Sequence, residues 1–250
     1  MGKSTPISRP VDVATRETFE FLAAHLEPES RVLEVGCGKG EVAARLLHAG
    51  HDVVGLDSSA QALEAAGALG VSTRLARWPD FEDAPFDAIV FTRSLHHIPS
   101  LTAALEKAHA LLLDGGLLLV EDFAFHEVDT LTAEWFFHQL RVLEALGCLE
   151  TGHTFGWEVL SQSGAMAAWR HEHFDELHRA GDMEREMGKL FQLEQTNPVP
   201  YFYRYVIQML AETETAGQVA DRFLDLERHQ ALYHPATLIG RRWVARKASG

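Results

Sequence analysis

Residues 31–40 read RVLEVGCGKG, and much of the architecture can be inferred from them. The first half is a short apolar run typical of a buried strand, and the second half carries glycine at alternate positions, Gly36, Gly38 and Gly40. Glycine has no Cβ, so the backbone can turn sharply there and pass close to a ligand. A helical pattern, EVAARLLHAG, follows at once. A strand, a glycine loop and the amino end of a helix in this order predict a nucleotide-binding site.

The spacing of this loop bears on which nucleotide it fits. Dinucleotide-binding loops read G-x-G-x-x-G and seat a pyrophosphate on the helix amino end. Here the third glycine comes one residue early, and that pattern's last position is Glu41, whose carboxylate would repel a pyrophosphate. The loop also lacks the GK[ST] ending of a triphosphate-binding loop. Asp57 ends the next apolar run, VVGLD, where a carboxylate suits a pair of ribose hydroxyls.

The pattern E-x-G-x-G-x-G with a later aspartate resembles the first motif of class I S-adenosylmethionine-dependent methyltransferases. Two further stretches resemble later parts of that family, in the expected order. Residues 86–97, FDAIVFTRSLHH, match a fourth strand with its exit loop, and residues 111–123, LLLDGGLLLVEDF, match a tight turn and a fifth strand. The resemblance covers residues 31–123. It implies a methyltransferase with S-adenosyl-L-methionine as cofactor.

The resemblance also implies which residues meet the cofactor. Glu34 would face the methionine ammonium, and Asp57 would accept from the ribose hydroxyls. The family commonly carries an aspartate after the third strand, but this chain has Arg77-Trp78 there. Trp78 either stacks on the adenine or packs under the loop that follows. The residues expected to contact the cofactor are Glu34, Gly36, Cys37, Gly38, Gly40, Asp57, Ser58, Arg77, Trp78, Thr92 and Arg93.

Several of these residues have a structural alternative. Glu34 could fix the loop, and Asp57 could cap the following helix. Arg93 could pair with Asp122 across the strand tips. Two other protein classes also stay open: a cofactor-binding or regulatory protein without catalysis, and a Rossmann-type oxidoreductase, which Glu41 disfavours.

Histidine is abundant, with 14 residues in the chain. A neutral imidazole suits removal of a proton from a methyl acceptor near pH 7. The candidate general bases are His97, His126, His138 and His173, but for none of them is a catalytic role favoured over a structural one. His171 and His173 stand two residues apart, which on a helix points them to different sides, so we expect no metal site.

The whole chain indicates a class of fold. Strands and helices alternate from residue 31 to 123, which is typical of an α/β fold. We expect a Rossmann-like, doubly wound, seven-stranded sheet, mostly parallel with an antiparallel last strand, plus helical lid insertions. One domain would span residues 1–250. Its expected parts are a cofactor-binding core over 13–147, lid or acceptor segments over about 150–182 and 197–232, and final strands over about 185–195 and 238–247.

Composition limits the partners. The formal net charge of −14 argues against a nucleic-acid partner, because phosphate contacts need clustered Lys and Arg. No apolar run approaches a membrane span and the two cysteines suggest no disulfide framework, so we expect a cytoplasmic protein without a membrane partner. A small-molecule acceptor fits best, with methyl transfer to oxygen favoured over nitrogen or carbon. The sequence does not fix the acceptor or the oligomeric state.

Overall fold

A computed structural model of the chain describes residues 9–150, 164–172 and 177–249. Its contacts divide it into two units. The first, called the helical unit, comprises Met1–Arg16, Ala124–Asp175 and Val199–Gly240. The second, called the sheet unit, comprises Glu17–Phe123, Glu176–Pro198 and Arg241–Gly250.

One seven-stranded sheet has the order β3-β2-β1-β4-β5-β7-β6. The strands are β1 Arg31–Val35, β2 Asp52–Asp57, β3 Ser72–Leu75, β4 Phe86–Thr92, β5 Leu112–Phe123, β6 Gln192–Val199 and β7 Gly240–Arg246. Strands β1 to β5 pair in parallel. β7 runs antiparallel to β5, since Gly115 N–H donates to Lys247 while Ala124 N–H donates to Ile239. The predicted α/β fold, mostly parallel with an antiparallel last strand, is confirmed.

Strand β1 lies between β2 and β4, which explains its apolar sequence. A strand buried on both faces has no polar side to show to water. Val32 and Leu33 are fully buried, and Val35 is nearly so. Their burial fixes the carboxyl end of β1, and with it the place where the glycine loop begins.

The helices before residue 150 follow the predicted pattern. They are α1 Pro10–Ala23, α2 Glu41–His48, α3 Ala60–Ala68, α4 Leu101–Leu111 and α5 Thr130–Ala145. Ser59 and Ser100 cap α3 and α4, each accepting a hydrogen bond from the backbone N–H three residues on. Asp129 caps α5 in the same way.

The later helices are α6 Ala165–Glu172, α7 Ala180–Leu190, α8 Phe202–Gln208 and α9 Glu214–Ala231. Residues 197–232 are largely helical, as expected. Much of the other predicted lid segment, 151–163 and 173–176, lies outside the described residues. The assignment of both segments to an acceptor-binding lid stays a prediction. In the described part of the chain, no helix is both long and apolar enough to cross a membrane.

One predicted strand is wrong. Residues 185–195 were expected to form a strand, but α7 occupies the first part and β6 begins at Gln192. The reason lies in the spacing of the apolar residues. Met183 and Met187 are four apart and buried, whereas the intervening Arg185 is exposed, which is the period of a helix. The other predicted final strand, 238–247, contains β7.

Candidate functional site

A cavity of about 710 Å³ opens at the carboxyl ends of β1, β2 and β4, within the sheet unit. Parallel α/β sheets bind ligands at this end of their strands. Of the residues predicted to contact the cofactor, those that line the cavity are Gly36, Asp57, Ser58, Arg77, Trp78 and Arg93. More than half of the residues predicted to contact the cofactor therefore lie around one cavity.

The glycine loop turns tightly beside this cavity. The N–H groups of Gly36 and Cys37 donate to the Leu56 carbonyl at 2.7 and 3.0 Å, so the loop is tied to the end of β2. Gly36 has a φ of +74°, and a Cβ there would lie 2.6 Å from the Ser94 Cβ. Gly38 has a φ of +55°, and a Cβ there would meet nothing within 4 Å. Glycine is thus required at position 36 because the backbone passes close to Ser94, and at position 38 because the backbone has a positive φ.

Gly40 and Cys37 have packing roles in the structure. Gly40 precedes α2 with a φ of +78°, and a Cβ there would come within 2.6 Å of the Ala66 Cβ. The Cys37 side chain is buried against Gly55, where an added Cβ would lie 2.9 Å from the Cys37 Sγ. Burial raises the pKa of the Cys37 thiol to about 12, so the thiol stays protonated and unreactive.

Asp57 ends β2 and holds the glycine loop from the opposite side. Its Oδ2 accepts from Gly38 N–H at 2.9 Å, and its Oδ1 accepts from Ser59 N–H at 2.8 Å. Each carboxylate oxygen has a second lone pair. Asp57 can therefore fix the loop and still accept hydrogen bonds from a ligand, so its structural and its binding interpretations are compatible.

Glu34 lies one residue before the lining residue Val35 and is 1% exposed. Its Oε1 accepts a hydrogen bond of 2.6 Å from the Thr92 hydroxyl. Burial raises the pKa of Glu34 to about 7, against the lowering effects of Thr92, Arg93 and the Ala43 N–H at the start of α2. Even so, Glu34 Oε2 is buried and has no hydrogen bond of normal geometry to any described residue. Such an atom needs a donor from elsewhere, such as a ligand.

Arg93 follows β4 and has a φ of +63°, which is unusual for a residue with a side chain. Its N–H donates to the Glu121 carbonyl at 2.7 Å, and its Nη1 lies 3.4 Å from Glu121 Oε1. The alternative in which Arg93 pairs with Asp122 is not what the structure shows. Asp122 Oδ1 lies instead 2.6 Å from His96 Nδ1.

Arg77 and Trp78 lie in the loop after β3, where the family commonly carries an aspartate. Trp78 is buried, and its Nε1 donates to the Ala104 carbonyl at 3.1 Å, which favours its packing interpretation. Arg77 is exposed at the cavity. Asp80 also lines the cavity, although it was not among the predicted contact residues. A tight turn, in which Asp80 N–H donates to the Arg77 carbonyl, brings Asp80 next to Arg77. An acidic residue within this loop was the available signal.

The histidine candidates separate in the structure. His97 lines the cavity, and partial burial together with His96 lowers its pKa. His126 and His138 belong to the helical unit and are exposed. His173 lies outside the described residues. Within the described ranges, no group of His, Cys, Asp and Glu side chains could hold a metal ion.

Comparison with known proteins gives relatives over part of the chain. An uncharacterised methyltransferase of Mycobacterium bovis is 36% identical over 103 residues, covering 37% of this chain and 50% of that protein. The ubiquinone biosynthesis O-methyltransferase of Xanthomonas axonopodis pv. citri is 28% identical over 122 residues, covering 45% of this chain and 51% of that protein. The chain spans about half the length of these curated relatives.

Solved structures extend the likeness to the whole fold. The N-methyltransferase NodS from Bradyrhizobium japonicum, in complex with S-adenosyl-L-homocysteine, has a TM-score of 0.54 at 12% identity, covering 96% of this chain and 88% of that one. The methyltransferase-domain family matches residues 9–165, which is more than half of the chain. The family predicted from the glycine loop is thus confirmed: the chain belongs to the methyltransferase-domain family.

Proposed function

We propose that this chain binds S-adenosyl-L-methionine in the cavity of the sheet unit and transfers its methyl group to a small organic acceptor. Membership of the methyltransferase-domain family supports this class of enzyme and this cofactor. The observation that carries the proposal is the cavity at the strand ends that Gly36, Asp57 and Arg93 line, next along β1 to Glu34, whose buried Oε2 has no hydrogen bond of normal geometry to a described residue. Bound S-adenosylmethionine would supply an electron-poor methyl carbon on a sulfonium, with a neutral thioether as leaving group.

The residues present fit such a cofactor. Glu34 would accept from the ligand ammonium, because its Oε2 lacks a described donor. Asp57 would accept from the ribose hydroxyls through the lone pairs that Gly38 and Ser59 leave available. Thr92, which is buried and donates to Glu34, would orient that carboxylate rather than touch the ligand. Asp80, which lines the cavity, would accept from the adenine amino group in place of the aspartate that the family commonly carries there.

We propose oxygen as the acceptor atom, with His97 as the residue that removes its proton. His97 lines the cavity. Its lowered pKa keeps the imidazole neutral at pH 7, and the neutral form is the one that can accept a proton. The Xanthomonas relative, an O-methyltransferase by name, supports this choice, whereas NodS is an N-methyltransferase by name. The strongly acidic composition supports a small cytoplasmic substrate over a nucleic acid.

Isothermal titration with S-adenosylhomocysteine, the demethylated product, tests the cofactor assignment. Asp57→Asn keeps one acceptor for the loop but removes the charge, and Asp57→Ala removes both. We expect Asp57→Ala to weaken binding at least tenfold, which is about the affinity lost with one charge-assisted hydrogen bond. The affinity of Asp57→Asn should lie between those of Asp57→Ala and the wild type. Glu64→Ala, an exposed carboxylate on α3, is the matched control and should bind normally.

Two further measurements separate the other classes. An oxidoreductase would bind NADH in a fluorescence titration and would not bind S-adenosylhomocysteine. A regulatory protein would bind the cofactor but methylate nothing in a screen of phenols, carboxylic acids and amines. Unchanged affinity in folded Asp57→Ala would overturn the ribose assignment.

A further inference from the structure

We propose that Arg93 binds the carboxylate of the cofactor's methionine moiety and thereby completes, with Glu34, a site for a zwitterionic α-amino acid group. This inference rests on the proposed function and assigns the chemistry of one part of that site.

The backbone holds Arg93 in place at the cavity. Its φ of +63° lies in the left-handed region, where glycine and asparagine are common and arginine is not. A hydrogen bond of 2.7 Å from Arg93 N–H to the Glu121 carbonyl maintains this conformation. Such conformations persist where the surroundings enforce them, and they cluster at ligand sites.

The charges around Arg93 leave it able to bind an anion. Glu121 is 1% exposed, and its Oε2 receives the Arg242 Nε at 2.6 Å. The Thr18 hydroxyl donates to Glu121 Oε1 at 2.7 Å, whereas Arg93 approaches the same oxygen only to 3.4 Å. Arg242 is therefore the closer counter-ion of this buried carboxylate.

Arg242 and Arg93 also differ in their other contacts. Arg242 donates to the Glu17 carbonyl and lies over the Phe21 ring, so its guanidinium is held away from the cavity. Arg93 lines the cavity, and its side chain is 33% exposed. A guanidinium has five N–H donors, and the Glu121 contact occupies one nitrogen of Arg93. The remaining donors suit a carboxylate, which arginine binds with two parallel hydrogen bonds.

Glu34 supplies the opposite charge nearby. Thr92, the residue directly before Arg93, donates to Glu34 Oε1 at 2.6 Å, so Arg93 and Glu34 are held in the same part of the sheet, and Arg93 lowers the pKa of Glu34. The unpartnered Glu34 oxygen suits a ligand ammonium. The unused donors of Arg93 suit a ligand carboxylate next to that ammonium. The α-amino acid end of the cofactor carries that pair of groups on one carbon.

The experiment compares two ligands by isothermal titration, without any methyl acceptor. One is S-adenosylhomocysteine, and the other is its decarboxylated analogue, which keeps the amine and lacks the carboxylate. We expect wild-type protein to prefer the first ligand by about tenfold or more, the value of a charge-assisted hydrogen bond. Arg93→Asn, which tolerates the left-handed backbone, should reduce that preference to less than about threefold by weakening only the carboxylate-bearing ligand. Arg93→Lys should restore part of it.

The matched control is Arg74→Asn, since Arg74 is an exposed arginine of β3 that does not line the cavity. It should keep the wild-type preference. Equal weakening of both ligands by Arg93→Asn, no weakening of either, or the same loss of preference in Arg74→Asn would overturn the assignment. A wild-type protein that binds neither ligand would overturn the proposed function itself. A wild type that binds both alike would overturn this inference alone.

Discussion

Each unit of the molecule buries one glutamate whose pKa burial raises to about 7: Glu34 in the sheet unit and Glu227 in the helical unit. Glu227 is 0% exposed, and its two oxygens accept the backbone N–H groups of Tyr201, Phe202 and Tyr203. Glu34 accepts from one side chain, Thr92, and leaves Oε2 without a described partner.

The difference shows that burial and a raised pKa do not by themselves mark a functional carboxylate. The three N–H groups at Glu227 belong to the amino end of α8, where a helix has donors without partners and a partial positive charge. Glu227 satisfies those donors from α9, so a structural role accounts for it. Glu34 also lies near a helix amino end, since the Ala43 N–H of α2 lowers its pKa, but its buried Oε2 has no hydrogen bond of normal geometry to a described residue. The number of unsatisfied oxygens therefore separates the proposed ligand site from the structural site.

The largest effect is expected when the structural glutamate is removed. Glu227→Ala would leave three N–H groups near residues 201–203 without their acceptor, at a cost of about 3 kcal/mol or more in the free energy of unfolding. Urea denaturation measures this loss. The affinity for S-adenosylhomocysteine should stay within about twofold at a temperature where the variant is folded.

Glu227→Gln is the control for the preceding variant, because its amide retains one oxygen acceptor. It should lose less stability than Glu227→Ala. If Glu227→Ala is as stable as the wild type, or if it loses cofactor affinity while folded, the distinction between the two glutamates fails.

The sequence predicted the parts of the site that depend on local pattern. Glycine spacing gave the tight loop, and the apolar run ending in Asp57 gave the strand end that faces the loop. Ser59 and Ser100, which cap α3 and α4, stand directly before helical runs and are local features of the same kind. These features depend on a few neighbouring residues, whose chemistry is visible without the fold.

Long-range pairing could not be predicted in the same way. Thr92 and Glu34 are 58 residues apart and meet because β1 and β4 are adjacent in register. Glu121 and Asp122 are consecutive, so a strand points them to opposite faces, and only the register decides which of them meets Arg93.

The second effect concerns Glu34, the glutamate that we propose binds the ligand ammonium. Glu34→Gln would remove the negative charge that faces the cofactor ammonium, and we expect affinity for S-adenosylhomocysteine to fall about 10–100-fold. The free energy of unfolding at pH 8 should be unchanged or higher, because the variant no longer buries an ionised carboxylate. Glu41→Gln, at the start of α2, is a matched control that should bind normally. Loss of stability without loss of affinity would give Glu34 the structural role instead.

The smallest effect is a pH dependence of ligand binding that should depend on Glu34 and not on Glu227. Both have a folded-state pKa of about 7, raised from 4.5, so the free protein binds these protons more tightly than the unfolded chain does. Their contribution to stability is therefore present below pH 4.5 and is lost as the pH rises through about 7. Binding of S-adenosylhomocysteine should show the opposite trend, because the ligand ammonium needs Glu34 ionised.

Below pH 7, binding would have to remove a proton from Glu34, so the affinity should fall as the pH falls, by about tenfold between pH 7.5 and pH 6. Titration calorimetry in two buffers of different ionisation enthalpy should detect the released proton at pH 6. Glu34→Gln should make the affinity independent of pH in this range, whereas Glu227→Gln should leave the wild-type profile unchanged. An affinity that is flat with pH in the wild type, or a slope that Glu227→Gln removes, would place the titrating carboxylate elsewhere and contradict the assignment of Glu34 to the ammonium.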